Sequence, residues 1–279
     1  MARLIHLSDL HFGAHEPELV EAVKGRVDLA EPDIVVISGD FTQRARTDQF
    51  QQACRFLEEL REAGHDVLAV PGNHDIPLYD AFRRFLSPLT RYMRTIDDTL
   101  CPLHEIPGAT LLGINTARSL ALSGGRISHE QMKFIGETFD RTDPGATRIL
   151  VTHHPLFALP VGGSLAPPAG RSELALDAIG EAGVDLLLAG HNHQASVHNA
   201  RDLVTRAGPA LVIQAGTATS TRLREQDQSF NLIDIEGGSV TVTVESWGGS
   251  AFIAQDAQKF EREGDHWRIA GTLEGEPAH

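Results

Sequence analysis

Val67-Leu68-Ala69-Val70-Pro71-Gly72-Asn73-His74-Asp75 is the stretch on which the fold turns. Its apolar opening is too short for a helix and has no polar alternation, so it reads as a strand buried on both faces of a helix-covered sheet. The strand then hands over at once to groups that can hold a metal or a proton. Four further apolar runs end the same way. Leu4 to Leu7 leads into Ser8-Asp9-Leu10-His11, Ile34 to Ile37 into Ser38-Gly39-Asp40, Ile149 to Val151 into Thr152-His153-His154, and Leu186 to Ala189 into Gly190-His191-Asn192-His193. Ligands of open α/β sheets bind beyond the carboxyl ends of the strands, so these distant segments are expected to converge.

Helical patterns separate the first three runs. Leu19, Val23 and Val27 recur at helical spacing, as do Phe50, Cys54, Leu57 and Leu60 between a start at Thr47-Asp48 and a stop at Gly64; Cys54 is therefore placed in the core. A βαβαβ opening predicts parallel strands joined by right-handed crossovers. Ser128 and Gln131 form a capping box, and Ile127 with Met132 a hydrophobic staple, for a helix burying Met132, Ile135 and Phe139. Another helix is expected from Ser172 to Ala182. Phe230 to Ile235 and Val240 to Trp247 alternate around Gly237-Gly238 as a hairpin, and Phe252 to Ile269 forms a second around Glu263-Gly264-Asp265. Pro160 to Gly170 reads as a surface loop. No repeat or linker divides the chain, which is read as one domain over 1–270 with two facing sheets, helices outside, and a frayed tail over 271–279.

The chain of 279 residues is 41% hydrophobic and 22% charged, an ordinary balance for a sizeable buried core. No apolar run is long enough for a bilayer and no leader pattern precedes Arg3 to Leu7, which points to the cytoplasm. Cys54 and Cys101 are far apart, so neither a thiolate metal site nor a disulfide framework is expected. A net charge of −14 repels phosphate backbones, and no arginine or lysine cluster with interleaved aromatics marks a nucleic-acid groove. Oligomeric state is left open, a homodimer included.

A lone Asp or His at a strand end is ordinarily a cap or a turn residue. Five coordinated strand ends call for another explanation. In extended backbone, residues two apart face the same side, so Asp9 with His11 and His191 with His193 can each address one site. Gly39, Gly72 and Gly190 allow sharp turns and close approach. Asp, Asn and His ligands without sulfur suit Mn, Fe or Zn. The donors Asp9, His11, Asp40, Asn73, His153, His191 and His193 exceed what one ion needs. If Asp40 bridges, they divide into two sets of four around ions roughly 3.5–4 Å apart. Such a pocket attracts an anion and acidifies a bound water to near neutrality, giving a hydroxide nucleophile. His74, beside the ligand Asn73, is the candidate general acid and Asp75 its orienting group, with Asn73 and His74 also placed against the substrate. His154 is read as packed on the opposite face and His6 as a core or supporting group. His15, His65, His104, His129, His198, His266 and His279 are assigned to the surface or to ordinary packing.

The succession of Asp9/His11, Gly39-Asp40, Gly72-Asn73-His74-Asp75, His153 and Gly190-His191-Asn192-His193 resembles the calcineurin-like metallophosphoesterases, in the family's order. The resemblance implies a four-layer α/β/β/α sandwich of two mixed sheets flanked by helices. It also implies one metal on Asp9, His11, Asp40 and His193, and a second on Asp40, Asn73, His153 and His191. Size and motif detail are most similar to class III cyclic-nucleotide phosphodiesterases and glycerophosphodiesterases. The segment Gly39-Asp40-Phe41-Thr42-Gln43-Arg44-Ala45 and the Asp at 75 depart from the protein phosphatase branch. A small-molecule phosphodiester is thus the expected substrate. A nuclease or nucleotide-sugar pyrophosphatase is the alternative within the family, and a non-catalytic protein-binding scaffold the alternative outside enzymes. Substrate choice is assigned to Ile76 to Pro107, Pro160 to Gly170 and Thr217 to Arg224, with Arg44, Arg118, Arg222 and Arg224 as candidate contacts to phosphate oxygens or a nucleotide.

Overall fold

The computed structural model describes residues 1–120, 124–161, 164–204, 208–222 and 226–273. Strands β1 (Ala2–Leu7), β2 (Ile34–Ile37) and β3 (Val67–Ala69) alternate with helices α1 (Pro17–Ala30) and α2 (Thr47–Glu62). An excursion follows, with α3 (Ala81–Leu86), α4 (Thr90–Thr95) and β4 (Leu103–Ile106), before β5 (Ala109–Ile114), α5 (His129–Phe139) and β6 (Thr147–Thr152). Then come β7 (Leu159–Val161), β8 (Ser164–Ala166), α6 (Ser172–Glu181), β9 (Leu186–Ala189), β10 (Ser196–Asn199), α7 (Ala200–Leu203) and β11 (Leu211–Gln214). The chain closes through β12 (Ser229–Glu236), β13 (Ser239–Trp247), β14 (Phe252–Ala254), β15 (Ala257–Glu263) and β16 (His266–Leu273).

Two mixed sheets result. The first runs β16-β15-β13-β12-β1-β2-β3 with β14 on β13, and the second β10-β11-β9-β6-β5-β4. β1, β2 and β3 pair in parallel, with Leu4 opposite Ile34 and Val35 opposite Val67. Because strand side chains alternate in direction, each buried strand feeds two cores. Leu4, Ile34, Val36 and Leu68 meet Leu111, Ile149, Val151, Leu186 and Leu188 between the sheets. Ile5, Leu7, Val35 and Ile37 point the other way, onto Leu19, Val23 and Val27 of α1 and Phe50, Phe56 and Leu57 of α2. On the far side Leu112, Ile114, Leu150 and Leu187 take Met132, Ile135 and Phe139 of α5 and Leu176 and Ile179 of α6. The order is helix, sheet, sheet, helix.

Several expectations change in detail. Cys54 is only half-buried, its thiol 3.4 Å from Glu58 Oε1, because Phe50, Ala53, Leu57 and Leu60 make the buried stripe of α2 and Cys54 sits on its shoulder. β5, absent from the apolar runs named above, is buried throughout. Its run is broken by Thr110 and Gly113, and it owes its place to β4 and β6 on either side. The loop after β6 contains the small β7-β8 hairpin. β16 continues through Gly271 to Leu273, where a frayed tail was expected; the rest of that stretch, 274–279, like 162–163, lies outside the described residues. Among the described residues no helix is long and apolar enough to cross a membrane.

Candidate metal centre

The strands deliver their polar residues by turning, not by continuing extended. Asp9, His11, Asp40, His191 and His193 all have positive φ, from 49° to 73°. The extended pairing expected for Asp9/His11 and His191/His193 is therefore replaced by left-handed turns just past β1 and β9. A side-chain-bearing residue in that region costs about 1–2 kcal/mol, and such strain concentrates at functional sites. The glycines work as space as much as flexibility: a Cβ on Gly190 would lie 2.8 Å from Asp9 Oδ2, and one on Gly39 2.6 Å from His153 Nδ1.

These turns bring the donors together. His193 Nε2 lies 3.2 Å from Asp9 Oδ1, and His11 Nε2 lies 3.6 Å from Asp9 Oδ1 and 3.7 Å from Asp40 Oδ2. On the other side of Asp40, its Oδ1 is 3.4 Å from His153 Nε2, which is 3.2 Å from Asn73 Oδ1. Asp9, His11 and His193 form one mutually close group of ligand atoms, and Asp9, Asp40 and His153 another. His191 joins at the rim, its ring 5.2 Å from that of His153 and its backbone N–H donating to Asp9 Oδ2 at 2.9 Å. Asp9, His11, Asp40 and His153 are almost wholly buried. A cavity of about 350 Å³ opens over the cluster, lined by Asp40, Asn73, His74, His191, His193 and Arg222 among others.

Supporting bonds aim the donors inward. His153 Nδ1 pairs with the Ser38 carbonyl at 2.7 Å and His193 Nδ1 with the Arg222 carbonyl at 2.9 Å, which leaves each Nε2 facing a carboxylate. Ser8 Oγ donates to Asp9 Oδ2 at 2.6 Å, whereas Asp9 Oδ1 is buried, faces His193 Nε2 and finds no well-aligned hydrogen-bond donor among the described residues. Burial alone would lower the affinity of His153 for a proton, but the facing Asp40 carboxylate outweighs it and raises the ring to about 9. His193 is raised in the same way, burial being outweighed by Asp9. Asp40 is held well below its ordinary range, since His153 opposes and exceeds the effect of burial. A proton on Nε2 and a metal cation meet the same electrostatic demand. The buried bare oxygen on Asp9, the inward lone pairs and the sulfur-free donor set fit hard or borderline cations.

His74 stands at the cavity wall with Nδ1 2.8 Å from the Gln43 carbonyl and Nε2 3.4 Å from Arg222 Nη1. The contact expected from Asp75 to this ring is made by Gln43 instead. Asp75 turns inward and accepts from the N–H groups of Phe41, Thr42 and Gly72, bonds that need its carboxylate and tie the turn after β2 to the turn after β3. Burial, then the neighbouring Asp40, raise Asp75 to about 6. His154 is not on the opposite face: its ring is 4.6 Å from that of His191, and His153, His154 and His191 form a further close group. The reason is that β6 ends at Thr152, whose hydroxyl donates to the His154 carbonyl and turns the chain, so strand alternation no longer applies. Thr116 Oγ1 holds His154 Nδ1 at 2.9 Å. His6 is buried against Ser38 Oγ at 2.9 Å, behind the ligands. Arg118 is spent on the carbonyls of Asn115 and Ala117 and on Gln131, away from the cavity; Arg224 lies outside the described residues. Gln43 and Thr217, which donates to the Asp9 carbonyl at 2.7 Å, are supports that no sequence spacing singled out.

Known proteins resemble this chain in sequence and in fold. The chain is 25% identical to a glycerophosphodiester phosphodiesterase of Enterobacter lignolyticus over 225 residues, 76% of this chain and 78% of that protein. It is 25% identical to a probable cyclic nucleotide phosphodiesterase of Synechococcus over 196 residues, 69% of this chain and 70% of that one. Among solved structures, a purple acid phosphatase from yellow lupin (Lupinus luteus) seeds superposes with a TM-score of 0.68 at 15% identity, covering 91% of this chain and 52% of the lupin chain, a likeness of fold. The model of the calcineurin-like phosphoesterases matches residues 2–195, the span that holds every donor described above. The chain belongs to the calcineurin-like phosphoesterase family and is a metal-dependent phosphoesterase.

Proposed function

We propose that the chain hydrolyses a small-molecule phosphodiester, of cyclic-nucleotide or glycerophosphodiester type, at a centre of two metal ions. The observation that carries this reading is Asp40. Its two oxygens face separate imidazoles, Oδ2 toward His11 and Oδ1 toward His153, as a carboxylate shared between two cation sites must. Asp9, His11, Asp40 and His193 would hold one ion, and Asp40, Asn73, His153 and His191 the other. Mn, Fe and Zn all suit these donors. When bound, the ions supply Lewis acidity, polarising the phosphoryl oxygens and acidifying water.

The chain's own groups do the rest. The turns after the strands hold the donors rigidly around the reacting phosphorus, so orientation is set before the substrate arrives. The Gln43 carbonyl fixes the tautomer and angle of His74, whose Nε2 faces the cavity and delivers a proton to the departing alkoxide. Arg222 Nη1, next to that nitrogen, meets a non-reacting phosphate oxygen. Asp75 acts at a distance, by bracing the turns that carry Asp40 and Asn73.

The deciding experiment is turnover of bis(p-nitrophenyl) phosphate. Activity is expected to vanish with chelator and return with Mn²⁺. His74→Ala is expected to lower kcat by about 10²–10⁴-fold while metal content stays the same. Absence of turnover with every metal added would defeat the reading. A panel of cyclic nucleotides, glycerophosphodiesters, nucleotide-sugar pyrophosphates and oligonucleotides then ranks the substrate classes.

A further inference from the structure

A second hollow, of about 480 Å³, adjoins the metal centre. Arg44, Arg46 and Arg222 line it, with Gln49 among them, and Arg222 lines the catalytic cavity as well. All three arginines are exposed, and among the described residues none is paired with a carboxylate. Arg44 packs over the Tyr79 ring at 5.5 Å, and Arg222 Nη1 lies 3.4 Å from His74 Nε2. Other arginines of the chain do find carboxylates, as Arg3 does Asp234, Arg26 Glu245 and Arg201 Asp265, and others, such as Arg91 and Arg148, are spent on backbone carbonyls. Three guanidinium groups around one hollow, with no carboxylate partner among the described residues, stand out on a chain of net charge −14 as a local inversion of its electrostatics.

The backbone that presents them is built for the purpose. Gln49, almost fully buried, accepts from the backbone N–H groups of Arg44 and Arg46 through one oxygen, at 2.8 and 3.4 Å. Gly13 leaves room for that side chain, since a Cβ there would lie 2.7 Å from Gln49 Cδ. Ala45, between the two arginines, is held at φ 51°, a conformation alanine rarely adopts. Gln43, in the same turn, also carries the carbonyl that orients His74, so the hollow and the reacting centre share one rigid segment.

We infer that this hollow binds a second phosphate group, carried on one ester arm of the substrate and distinct from the phosphorus that reacts. Guanidinium forks match phosphate oxygens in pairs, and Arg44 and Arg46 together balance a dianion, with Arg222 standing between it and the reacting phosphate. The preferred substrate is then a phosphodiester bearing a further phosphate. This rests on the phosphodiesterase reading above, and the test separates the two.

Two chromogenic esters differ only in the feature at issue: the p-nitrophenyl ester of thymidine 5′-monophosphate, and the same ester carrying a 3′-phosphate. With the metal-loaded full chain, kcat/KM is expected to favour the phosphorylated ester by about tenfold or more, through KM, with the advantage shrinking as salt is added. Arg44→Ala/Arg46→Ala is expected to bring the ratio of the two esters to about one, and Arg44→Lys/Arg46→Lys to restore part of it, circular dichroism confirming that both variants fold. A wild-type ratio near one, or a ratio that survives the alanine substitutions, would overturn the assignment. If neither ester is hydrolysed, it is the phosphodiesterase reading that fails. Calorimetry with inorganic pyrophosphate then decides the hollow: weaker binding to the alanine variant supports it, and equal binding removes it.

Discussion

The pairing of His153 with Asp40 sets how the site responds to protons. Burial opposes a charge on the ring, yet Asp40 raises it from an ordinary 6.5 to about 9. In metal-free protein the folded state therefore keeps a proton that the unfolded chain releases above pH 6.5. Its stabilising effect is whole below 6.5 and is lost as pH climbs through 9. With chelator present, the melting temperature is expected to fall by about 5 °C between pH 6.5 and 9. Metal competes for the same nitrogen, so loaded protein should show the opposite trend, binding metal more tightly as pH rises. A flat or rising melting curve in chelator would show that this pair does not govern the metal-free site. These donors were plain in the sequence because each sits in a short motif after an apolar run. Strand alternation misplaces His154, because that rule stops where β6 stops.

At the scale of elements, β1, β2, β3, β6 and β9 are rails whose ends place the proposed ligands, and the turn beyond each decides where they point. Gly190 shows how little room that turn has. A methyl group there would press on Ser8 and on Asp9 Oδ2, pushing aside the carboxylate whose other oxygen faces His193. Gly190→Ala is expected to keep the fold and to weaken metal binding about 10–100-fold, as disturbed supports of ligands do. Metal titration of the purified variant measures this, and an unchanged affinity would mean that β9 and β1 yield more easily than their packing suggests. The strands and the helices α1, α2, α5 and α6 follow from period and capping. β4, β5 and the β7-β8 hairpin do not, since their short or broken patterns gain order only from the neighbours they pair with.

Across the whole molecule the donors come from both sheets: Asp9, Asp40 and Asn73 follow β1, β2 and β3 of the first, and His153 and His191 follow β6 and β9 of the second. Bound cations would thus clamp the two sheets at one end, beyond the apolar core between them. Ions held at 1,000 times their dissociation constant add about 4 kcal/mol to stability by mass action. Chelation is expected to lower the melting temperature by about 7 °C for a chain of this size, reversibly on adding Mn²⁺. Scanning calorimetry with and without chelator checks it, and a melting point indifferent to metal would place the ions outside the folded framework.

The amino-acid order alone determined the alternation of buried strands and helices, the ligand types, and the positions at which they leave the sheets, because these depend on local periodicity and on residue chemistry. Only the folded chain decided that the ligands emerge from left-handed turns, that Gln43 and not Asp75 holds His74, that His154 joins the cluster, and that three arginines share a hollow beside it. Such relations join residues far apart in the chain, and the packing of one sheet on the other is what brings them within bonding distance.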